Sequence, residues 1–319
     1  ANNTMMTKSE TNKYDLLYGS SYHPDNEITI TAGATQAIYA AVTAFVKPND
    51  EVLVFRPAYD CYIPTIELCG AKAVSVQLTY PDYGIDWEEV KQKITSKTKM
   101  IIINTPHNPS GTIFLKSDML QLQDITRDTN IIVLSDEVYE HMVFDGEQHH
   151  SICLFPELKA RSFITASFGK TFHNTGWKIG YSCAPKYLMD EFVKVHEFSV
   201  FSIHHPTQIA LAEYLKTPSH YQELSAFFQA KRDLFLSLIK ESNFTFTPSK
   251  GTYFQALNYS NITNENDYEF AVRLTKDKGI ASIPFSGFNV NSLDEKMLRF
   301  CFAKTDDTLK RGAEILCNI

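Results

Sequence analysis

The sequence predicts an α/β protein: a large domain with a mostly parallel central sheet, followed by a smaller α+β domain. Short apolar runs bounded by turn-forming residues alternate with helical patterns, which is typical of βαβ units. The helical patterns at residues 35–45 and 116–129 each place their apolar residues on one face. Beyond about residue 245, shorter strands and one helix follow each other closely. We therefore expect a large domain over residues 1–225 and a small domain over residues 226–319.

The predicted strands are runs of apolar and β-branched residues bounded by turn formers. In the large domain they lie at residues 27–31, 51–55, 73–76, 100–104, 131–135, 162–166 and 179–184. From residue 206 to about 242 the pattern is helical, with an interruption near Thr217-Pro218. The small domain is expected to contain strands at residues 245–247, 252–257, 280–283 and 297–302, and a helix at 267–278.

The composition argues against several classes of protein. The 30 Lys and Arg residues against 37 Asp and Glu residues give a formal net charge of −7, so we expect no nucleic-acid partner. The 6 cysteines form no CxxC pair, and neither His149-His150 nor His204-His205 has metal-ligand spacing, so we expect no disulfide framework and no metal. Because no apolar run approaches membrane-spanning length, we predict a cytoplasmic protein without a membrane partner.

The candidate functional residues lie at the ends of predicted strands, where open α/β sheets bind their ligands. Gly33, Ala34 and Thr35 directly follow the first strand and open a helix. The free amide groups and the dipole at such a helix start attract an anion such as phosphate, and Thr35 adds a hydroxyl donor. An ordinary helix cap is the alternative interpretation of this pattern.

Two further candidate segments follow the fourth and fifth strands. In the loop that begins at Asn104, Asn108 is a candidate donor to a ring oxygen, and the Asn108-Pro109 bond is a candidate cis peptide. Asp136 is a carboxylate at the end of a buried strand, which is costly unless it pairs with a cation such as a protonated pyridine nitrogen. Tyr139, three residues on, could reach the same ring. The alternatives are a plain turn and a helix cap.

Two cationic side chains are candidates for covalent chemistry and substrate binding. Lys170 lies in a glycine-punctuated loop between two strand-like runs, with Ser167 and Lys178 able to bind a phosphate. A buried lysine with a lowered pKa forms imines readily and carries protons. Arg299 lies inside an otherwise apolar strand, where its planar guanidinium could bind a substrate carboxylate through two hydrogen bonds. A structural ion pair is the alternative for Arg299.

The order of these features along the chain resembles that of the class I pyridoxal-phosphate aminotransferases, which have the aspartate aminotransferase fold, fold type I. The similarity is greatest to the kynurenine, glutamine and methionine aminotransferase group, in which a lysine like Lys178 stands where many relatives have an arginine. The segments that carry the resemblance span nearly the whole chain and are GAT, PAYDCY, NTPHNPSG, SDEVYEH, SFGKTFHNTGWKIG and LRFCFAK.

The resemblance implies a role for each candidate residue. Lys170 would hold pyridoxal 5′-phosphate as a Schiff base and move the proton between Cα and C4′. Arg299 and Asn104 would bind the substrate carboxylate. The other implied cofactor contacts are Asp136 to the pyridine nitrogen, Asn108 and Tyr139 to the ring oxygen, Tyr59 to the ring face, and Gly33, Ala34, Thr35, Ser167 and Lys178 to the phosphate.

The resemblance also implies a homodimer with shared active sites. In this group a phenylalanine matching Phe201 reaches the pocket from the neighbouring subunit, and Phe288 matches another pocket aromatic. Members of the family carry a further N-terminal stretch before the position of Ala1, with a glycine-rich substrate loop and a tyrosine that contacts the partner subunit's phosphate. We expect the site formed by the present sequence to lack those elements.

We therefore predict an aminotransferase that moves an amino group from an amino acid to a 2-oxo acid. Tyr59, Tyr62, Phe201 and Phe288 are aromatic pocket candidates, and no second arginine is placed for a side-chain carboxylate. This favours methionine, aromatic amino acids, glutamine or kynurenine as the donor. The alternatives are a cysteine-conjugate β-lyase, which releases ammonia and pyruvate, and a catalytically silent chain that only binds cofactor or dimerises. A nicotinamide dinucleotide enzyme is disfavoured because no GxGxxG follows the first strand.

Overall fold

The computed structural model describes residues 2–319 and contains two β-sheets. The first has seven strands in the order β1-β7-β6-β5-β4-β2-β3, and the second has three in the order β8-β10-β9. The strands are β1 (Ile28–Thr31), β2 (Glu51–Arg56), β3 (Lys72–Gln77), β4 (Thr98–Asn104), β5 (Ile132–Asp136), β6 (Ser162–Ser167), β7 (Gly180–Cys183), β8 (Phe254–Asn258), β9 (Ile283–Pro284) and β10 (Met297–Cys301).

Helices connect the strands and cover the sheets. They are α1 (Thr4–Tyr18), α2 (Gly33–Phe45), α3 (Tyr62–Leu68), α4 (Trp87–Lys93), α5 (Lys116–Thr126), α6 (Pro156–Lys159), α7 (Phe168–Thr171), α8 (Lys186–Ser199), α9 (His205–Tyr214), α10 (Ser219–Gln222), α11 (Leu224–Ile239), α12 (Asp267–Arg273) and α13 (Asp306–Cys317). None of the helices within residues 2–319 is both long and apolar enough to cross a membrane.

Strand direction in the large sheet determines which residues meet at one edge. Strands β2 to β6 are parallel, whereas β7 is antiparallel to both of its neighbours, β6 and β1. Strand β1 therefore runs in the same direction as β6. The carboxyl ends of β1, β4, β5 and β6 share an edge with the amino end of β7, so segments far apart in sequence converge there.

Each face of the large sheet is buried under helices. Side chains alternate between two apolar clusters along the strands: Leu53 and Ile101 belong to one, and Val52 and Ile102 to the other. The first cluster includes residues of α1, α5 and α9, and the second includes residues of α2 and α8. Each fully buried Val, Leu or Ile stabilises the fold by about 1.5–3 kcal/mol, which explains why both faces are apolar.

The sequence-based prediction of an α/β class with a mostly parallel sheet is confirmed, and all seven strands of the large sheet are present. The predicted strand at residues 245–247 is wrong: Thr245 forms only an isolated bridge to Asn258. The strand predicted at residues 280–283 is observed only at residues 283–284, as β9. A domain boundary near residue 225 coincides with the start of α11 and stays a prediction.

Candidate active site

A cavity of about 270 Å³ opens at the edge of the large sheet where the strand ends converge. Residues of the small sheet close its other side, so both parts of the chain contribute to its wall. The lining residues are Gly33, Ala34, Thr35, Tyr59, Asp60, Asn104, Asn108, Asp136, Val138, Tyr139, Ser167, Gly169, Lys170, Thr175, Lys178, Ile179, Phe254, Phe288 and Arg299.

The floor of the cavity is built by two neighbouring strands that end together. Asn104 and Asp136 are paired in the register of β4 and β5 and are the last residues of their strands. The Asn104 side-chain amide donates to the backbone oxygen of Asp136 at 2.9 Å, and its oxygen accepts from the Asn108 N–H at 2.8 Å. The amide of Asn104 therefore fixes the loop that carries Asn108, whose peptide bond to Pro109 is cis as predicted.

One end of the cavity forms a cradle for an anion. Helix α2 begins there at Gly33, and no described side chain caps its first amide groups. A Cβ atom added at Gly180 would lie 2.5 Å from the Ala166 oxygen and 2.9 Å from the Ala34 nitrogen, so only glycine fits beside the helix start. A Cβ atom at Gly33 would lie 3.7 Å from the Lys178 ammonium, which places this cation at the cradle.

Lys178 is at the cradle because β7 is reversed in the sheet. It precedes β7, so its position corresponds to the amino end of that strand, whereas Ser167 is at the carboxyl end of β6. Ser167 and Gly180 are paired in the register of the two strands. The loop between them is therefore anchored at both ends, and it carries Lys170 over the cavity.

Lys170 lies in the short helix α7, whose start is capped by Ser167. The Ser167 hydroxyl accepts from the Lys170 N–H at 3.3 Å. Burial lowers the pKa of the Lys170 amine, and the positive charges of Lys178 and Arg299 lower it further. A larger share of this amine is therefore neutral than in a surface lysine, and the neutral form is the nucleophile and the base.

Asp136 is a buried carboxylate with two hydrogen-bond donors. The Tyr62 hydroxyl donates to its Oδ2 at 2.5 Å, and the Val138 N–H donates to its Oδ1 at 3.2 Å. Burial raises the pKa of Asp136 to about 6, although both donors oppose that rise. Asp136 forms no salt bridge within residues 2–319, so its charge is available to a cationic ligand group.

Arg299 projects from β10 into the opposite wall and is held between aromatic rings. Its guanidinium carbon lies 4.0 Å from the centre of the Phe254 ring and 5.6 Å from that of Phe288. One Nη1–H donates to the Asn108 side-chain oxygen at 2.5 Å. Burial lowers the pKa of Arg299. Its remaining N–H groups suit a planar carboxylate.

All but two of the residues predicted from sequence for this site, Phe201 and Tyr62, line the cavity. Phe201 follows α8, is 66% exposed and does not line the cavity of its own chain, so its predicted role in a neighbouring subunit stays a prediction. Tyr62 was expected to line the substrate pocket; instead it lies behind Asp136, with its hydroxyl on that carboxylate. The Asn108 side-chain oxygen accepts from Arg299, and Asn108 lines the cavity, so the predicted donation of its side-chain amide to a ring oxygen stays a prediction.

Sequence reasoning missed Asp60, Val138, Gly169, Thr175, Ile179 and Phe254, all of which line the cavity. Four of them are direct sequence neighbours of predicted residues, and this adjacency could have identified them. Phe254 is different. It is paired with Cys301 in the register of β8 and β10, two residues from Arg299, and only knowledge of this pairing would have identified it.

This combination of fold and site defines the class of protein. Residues 9–316 match the family model described as aminotransferase class I and II, and the chain belongs to this family. The predicted fold type I and the predicted enzyme class, an aminotransferase acting on an amino acid and a 2-oxo acid, are confirmed.

Individual relatives are also similar. The chain is 42% identical to a methionine aminotransferase of Escherichia coli over 305 residues, which covers 95% of this chain and 79% of the relative. It is 33% identical to human kynurenine–oxoglutarate transaminase 3, covering 95% of this chain and 73% of the relative. A solved structure of an Escherichia coli methionine aminotransferase superposes with a TM-score of 0.97 at 40% identity, covering 99% of this chain and 84% of the other.

The family uses pyridoxal phosphate, and the residues present in the cavity fit this group. The start of α2 at the cradle has amides that no described side chain caps, and Lys178 lies beside Gly33, so this end of the cavity suits a phosphate. Asp136 offers a buried carboxylate suited to a protonated ring nitrogen. Lys170 lines the same cavity and has an amine with a lowered pKa for an aldehyde.

Proposed function

We propose that this chain transfers an amino group from methionine, an aromatic amino acid, glutamine or kynurenine to a 2-oxo acid, with Lys170 holding pyridoxal 5′-phosphate. The observation that carries the proposal is the convergence of an amine, a buried carboxylate, an anion cradle and a guanidinium on one cavity of about 270 Å³. The same four features serve four parts of one reaction: covalent capture, charge storage, phosphate binding and substrate binding.

The cofactor-binding roles follow from charge and geometry. The cradle of Gly33, Ala34 and Thr35, with Lys178, would hold the phosphate. Asp136 would hold the ring nitrogen, while Tyr59, which lines the same cavity, would lie against the ring face. When bound, pyridoxal phosphate supplies an aldehyde and a protonated ring that stores the electron pair released at the substrate Cα.

Lys170 Nζ would move the proton at the substrate Cα. Its lowered pKa would leave the amine able to accept that proton and return it. The short helix α7, capped by Ser167, fixes the backbone from which the amine reaches. The positive charges of Lys178 and Arg299 weaken the affinity of the amine for this proton, so the proton can be returned to a neighbouring atom.

Substrate orientation would come from Arg299 and Asn104. The guanidinium is already fixed by Asn108 and by the rings of Phe254 and Phe288, so little side-chain freedom is lost when it binds a carboxylate. Arg299 is the one arginine among the described residues of the cavity wall. An aromatic wall without a second guanidinium favours methionine, aromatic, glutamine or kynurenine side chains over acidic ones, in line with the named activities of the relatives.

The wider predictions remain part of this proposal. A homodimer would place the exposed Phe201 beside a second cavity. The cytoplasmic location and the division of the chain near residue 225 are likewise proposed.

The test is borohydride reduction of the protein loaded with pyridoxal 5′-phosphate, followed by peptide mass mapping. We expect one pyridoxyl adduct, on Lys170. Lys13 is an internal control because it is even more buried than Lys170, but two carboxylates hold its ammonium. An adduct on Lys13 in place of Lys170, or no adduct at all, would refute the proposal. Product analysis with methionine then distinguishes transfer, which gives a 2-oxo acid, from β-elimination of a cysteine conjugate.

A further inference from the structure

We propose that Tyr62 is a positioning residue that keeps Asp136 ionised and oriented toward the cofactor's ring nitrogen. This inference rests on the proposed function, since it concerns the same cavity. Tyr62 itself does not line the cavity; it acts through the carboxylate. Its position in the sequence, two residues after Asp60 at the start of α3, gives no indication of this contact.

The geometry around Asp136 carries the proposal. Tyr62 and Asp136 are both nearly inaccessible to solvent, with 2% and 3% exposure. The phenol donates to Oδ2 at 2.5 Å and the Val138 N–H donates to Oδ1 at 3.2 Å, so each oxygen has one fixed donor. Two donors on different oxygens fix the plane of the carboxylate and leave further lone pairs for a ligand N–H.

Tyr62 also links the two ends of the cavity. Its ring packs edge-on against the Tyr59 ring, with 5.8 Å between centroids and an interplanar angle of 78°. The Tyr59 hydroxyl lies 3.3 Å from the Thr35 hydroxyl at the anion cradle. A continuous set of side chains therefore connects the cradle with Asp136, and Tyr62 is the member that contacts both the ring-face tyrosine and the carboxylate.

The charge of Asp136 depends on few groups. Burial favours its neutral acid form, and Glu137 adds in the same direction. The Tyr62 and Val138 donors favour the charged form, and so does the Lys170 ammonium. The phenol makes the largest of these favourable contributions and is therefore the main side chain that keeps the carboxylate negative. A neutral acid at this position would no longer stabilise a protonated ring.

The experiment compares two cofactor ligands in two variants. Affinities for pyridoxal 5′-phosphate and for the analogue with a C–H in place of the ring nitrogen are measured by absorbance titration at pH 7. Because the two ligands differ only at the ring nitrogen, the ratio of their affinities measures the contribution of the contact to that nitrogen. In Tyr62→Phe we expect the preference for the nitrogen-containing ring to fall by about tenfold or more, the size of one hydrogen bond to a charged group.

Tyr22→Phe is the matched control, because the Tyr22 hydroxyl is buried and has no hydrogen-bond partner within residues 2–319. Its ratio should stay within about twofold of the wild type, as expected for an unpaired hydroxyl.

A second variant keeps the inference testable if Tyr62→Phe does not fold. Placing 3-fluorotyrosine at position 62 preserves size and hydrogen bond but makes the phenol a stronger donor. The preference for the nitrogen-containing ring should then persist to lower pH than in the wild type. An unchanged ratio in Tyr62→Phe, or an unshifted pH dependence with fluorotyrosine, would overturn the role of Tyr62. If the wild-type chain binds neither ligand, the proposed function falls as well, so the two failures are distinguishable.

Discussion

Two buried clusters of charged residues lie on opposite sides of one segment, residues 136–141, and they differ in how their charges are paired. Asp136 and Tyr139 face the active-site cavity, whereas Glu140 points into a cluster with α1 and β7. We call the first the active-site cluster (Asp136, Lys170, Arg299) and the second the Lys13 cluster (Glu10, Lys13, Glu140, Tyr181). Because one short segment contributes to both, the contrast is set by their partners.

In the Lys13 cluster the central carboxylate is saturated with donors. Glu140 Oε1 accepts from the Lys13 ammonium at 2.8 Å and from the Tyr181 hydroxyl at 2.9 Å, and Oε2 accepts from the Tyr18 hydroxyl at 2.7 Å. Burial opposes ionisation of Glu140, but the charges of Lys13 and His141 and their hydrogen bonds together outweigh it, so the pKa of Glu140 lies well below its ordinary value. The pKa of Lys13 is raised by the two carboxylates, again against burial.

In the active-site cluster no charged group forms an ion pair within residues 2–319, and the pKa shifts run opposite to those of Glu140 and Lys13. The pKa of Asp136 is raised and those of Lys170 and Arg299 are lowered, with burial as the first cause in each case. Unpaired charge in a buried place is costly, and a ligand that supplies the missing partners removes that cost. The comparison indicates that paired charges stabilise the fold in the Lys13 cluster, whereas incompletely paired charges in the active-site cluster favour the binding of a ligand.

The largest expected effect comes from removing the amine of the active-site cluster. Lys170→Ala should lower the rate of transamination by about a thousandfold or more, because both the covalent link and the proton carrier are lost. Thermal unfolding of the cofactor-free variant should show a fold at least as stable as the wild type, since a half-buried cation that forms no ion pair within residues 2–319 has been removed. Normal turnover by Lys170→Ala would contradict the assigned role.

Breaking the Lys13 cluster should instead affect stability. Lys13→Met leaves two buried carboxylates without their cation and should lower the free energy of unfolding by about 3–5 kcal/mol, measured by urea denaturation. Lys194→Met is the matched control, because Lys194 forms an exposed ion pair with Glu191. If both substitutions have the same small effect, the Lys13 cluster does not stabilise the fold in the way its geometry indicates.

A smaller effect is expected at the anion cradle. Gly180→Ala forces a methyl group against the Ala166 oxygen and the start of α2, and should cost about 1–3 kcal/mol of stability as well as weaken pyridoxal phosphate binding. Gly176→Ala, in the same loop, is the control, since a Cβ atom there meets nothing within 4 Å. Equal cofactor affinity in the two variants, measured by absorbance titration, would argue against the cradle.

The smallest effect is expected at Glu10, the less well paired member of the Lys13 cluster. Its Oε2 is 3.1 Å from the Lys13 ammonium, but neither oxygen receives a well-formed hydrogen bond within residues 2–319. Burial raises the pKa of Glu10 above its ordinary value of 4.5. The unfolded chain therefore releases this proton first as the pH rises, and the folded state loses stability from about pH 4.5 upward.

Glu10→Gln should remove this part of the pH dependence. Relative to the variant, the wild type should become less stable as the pH rises from 4.5 to 8, with a change of about 1 kcal/mol or less. Urea denaturation at several pH values measures the difference. A wild type that gains stability over this range relative to Glu10→Gln would show that the Lys13 charge outweighs the burial of Glu10.

The parts of the molecule predicted from sequence depend on local patterns. Strands β1 to β7 were recognisable because their apolar runs are bounded by turn residues, and Lys170, Asp136 and Asn108 were recognisable because they follow such runs in a familiar order. The helix start at Gly33 was equally local.

The remaining features depend on pairings that local patterns do not contain. The contact of Tyr62 with Asp136 spans 74 residues, and that of Lys13 with Glu140 spans 127. Lys13 lies in a polar helical segment that gives no sign of burial, and only the packing of α1 on the sheet places it there. Likewise, the position of Phe254 beside Arg299 follows from the register of β8 with β10, which the local sequence does not show.

The reversed direction of β7 has a consequence for which molecules the cavity can accept. The loop from Ser167 to Gly180 is fixed at both ends by paired strands, with the amine near one end and the cradle at the other. The loop therefore sets the distance between the Lys170 amine and the anion cradle. An aldehyde whose phosphate arm is one methylene longer would match only one of the two, so arm length, together with ring chemistry, should decide which aldehydes are retained.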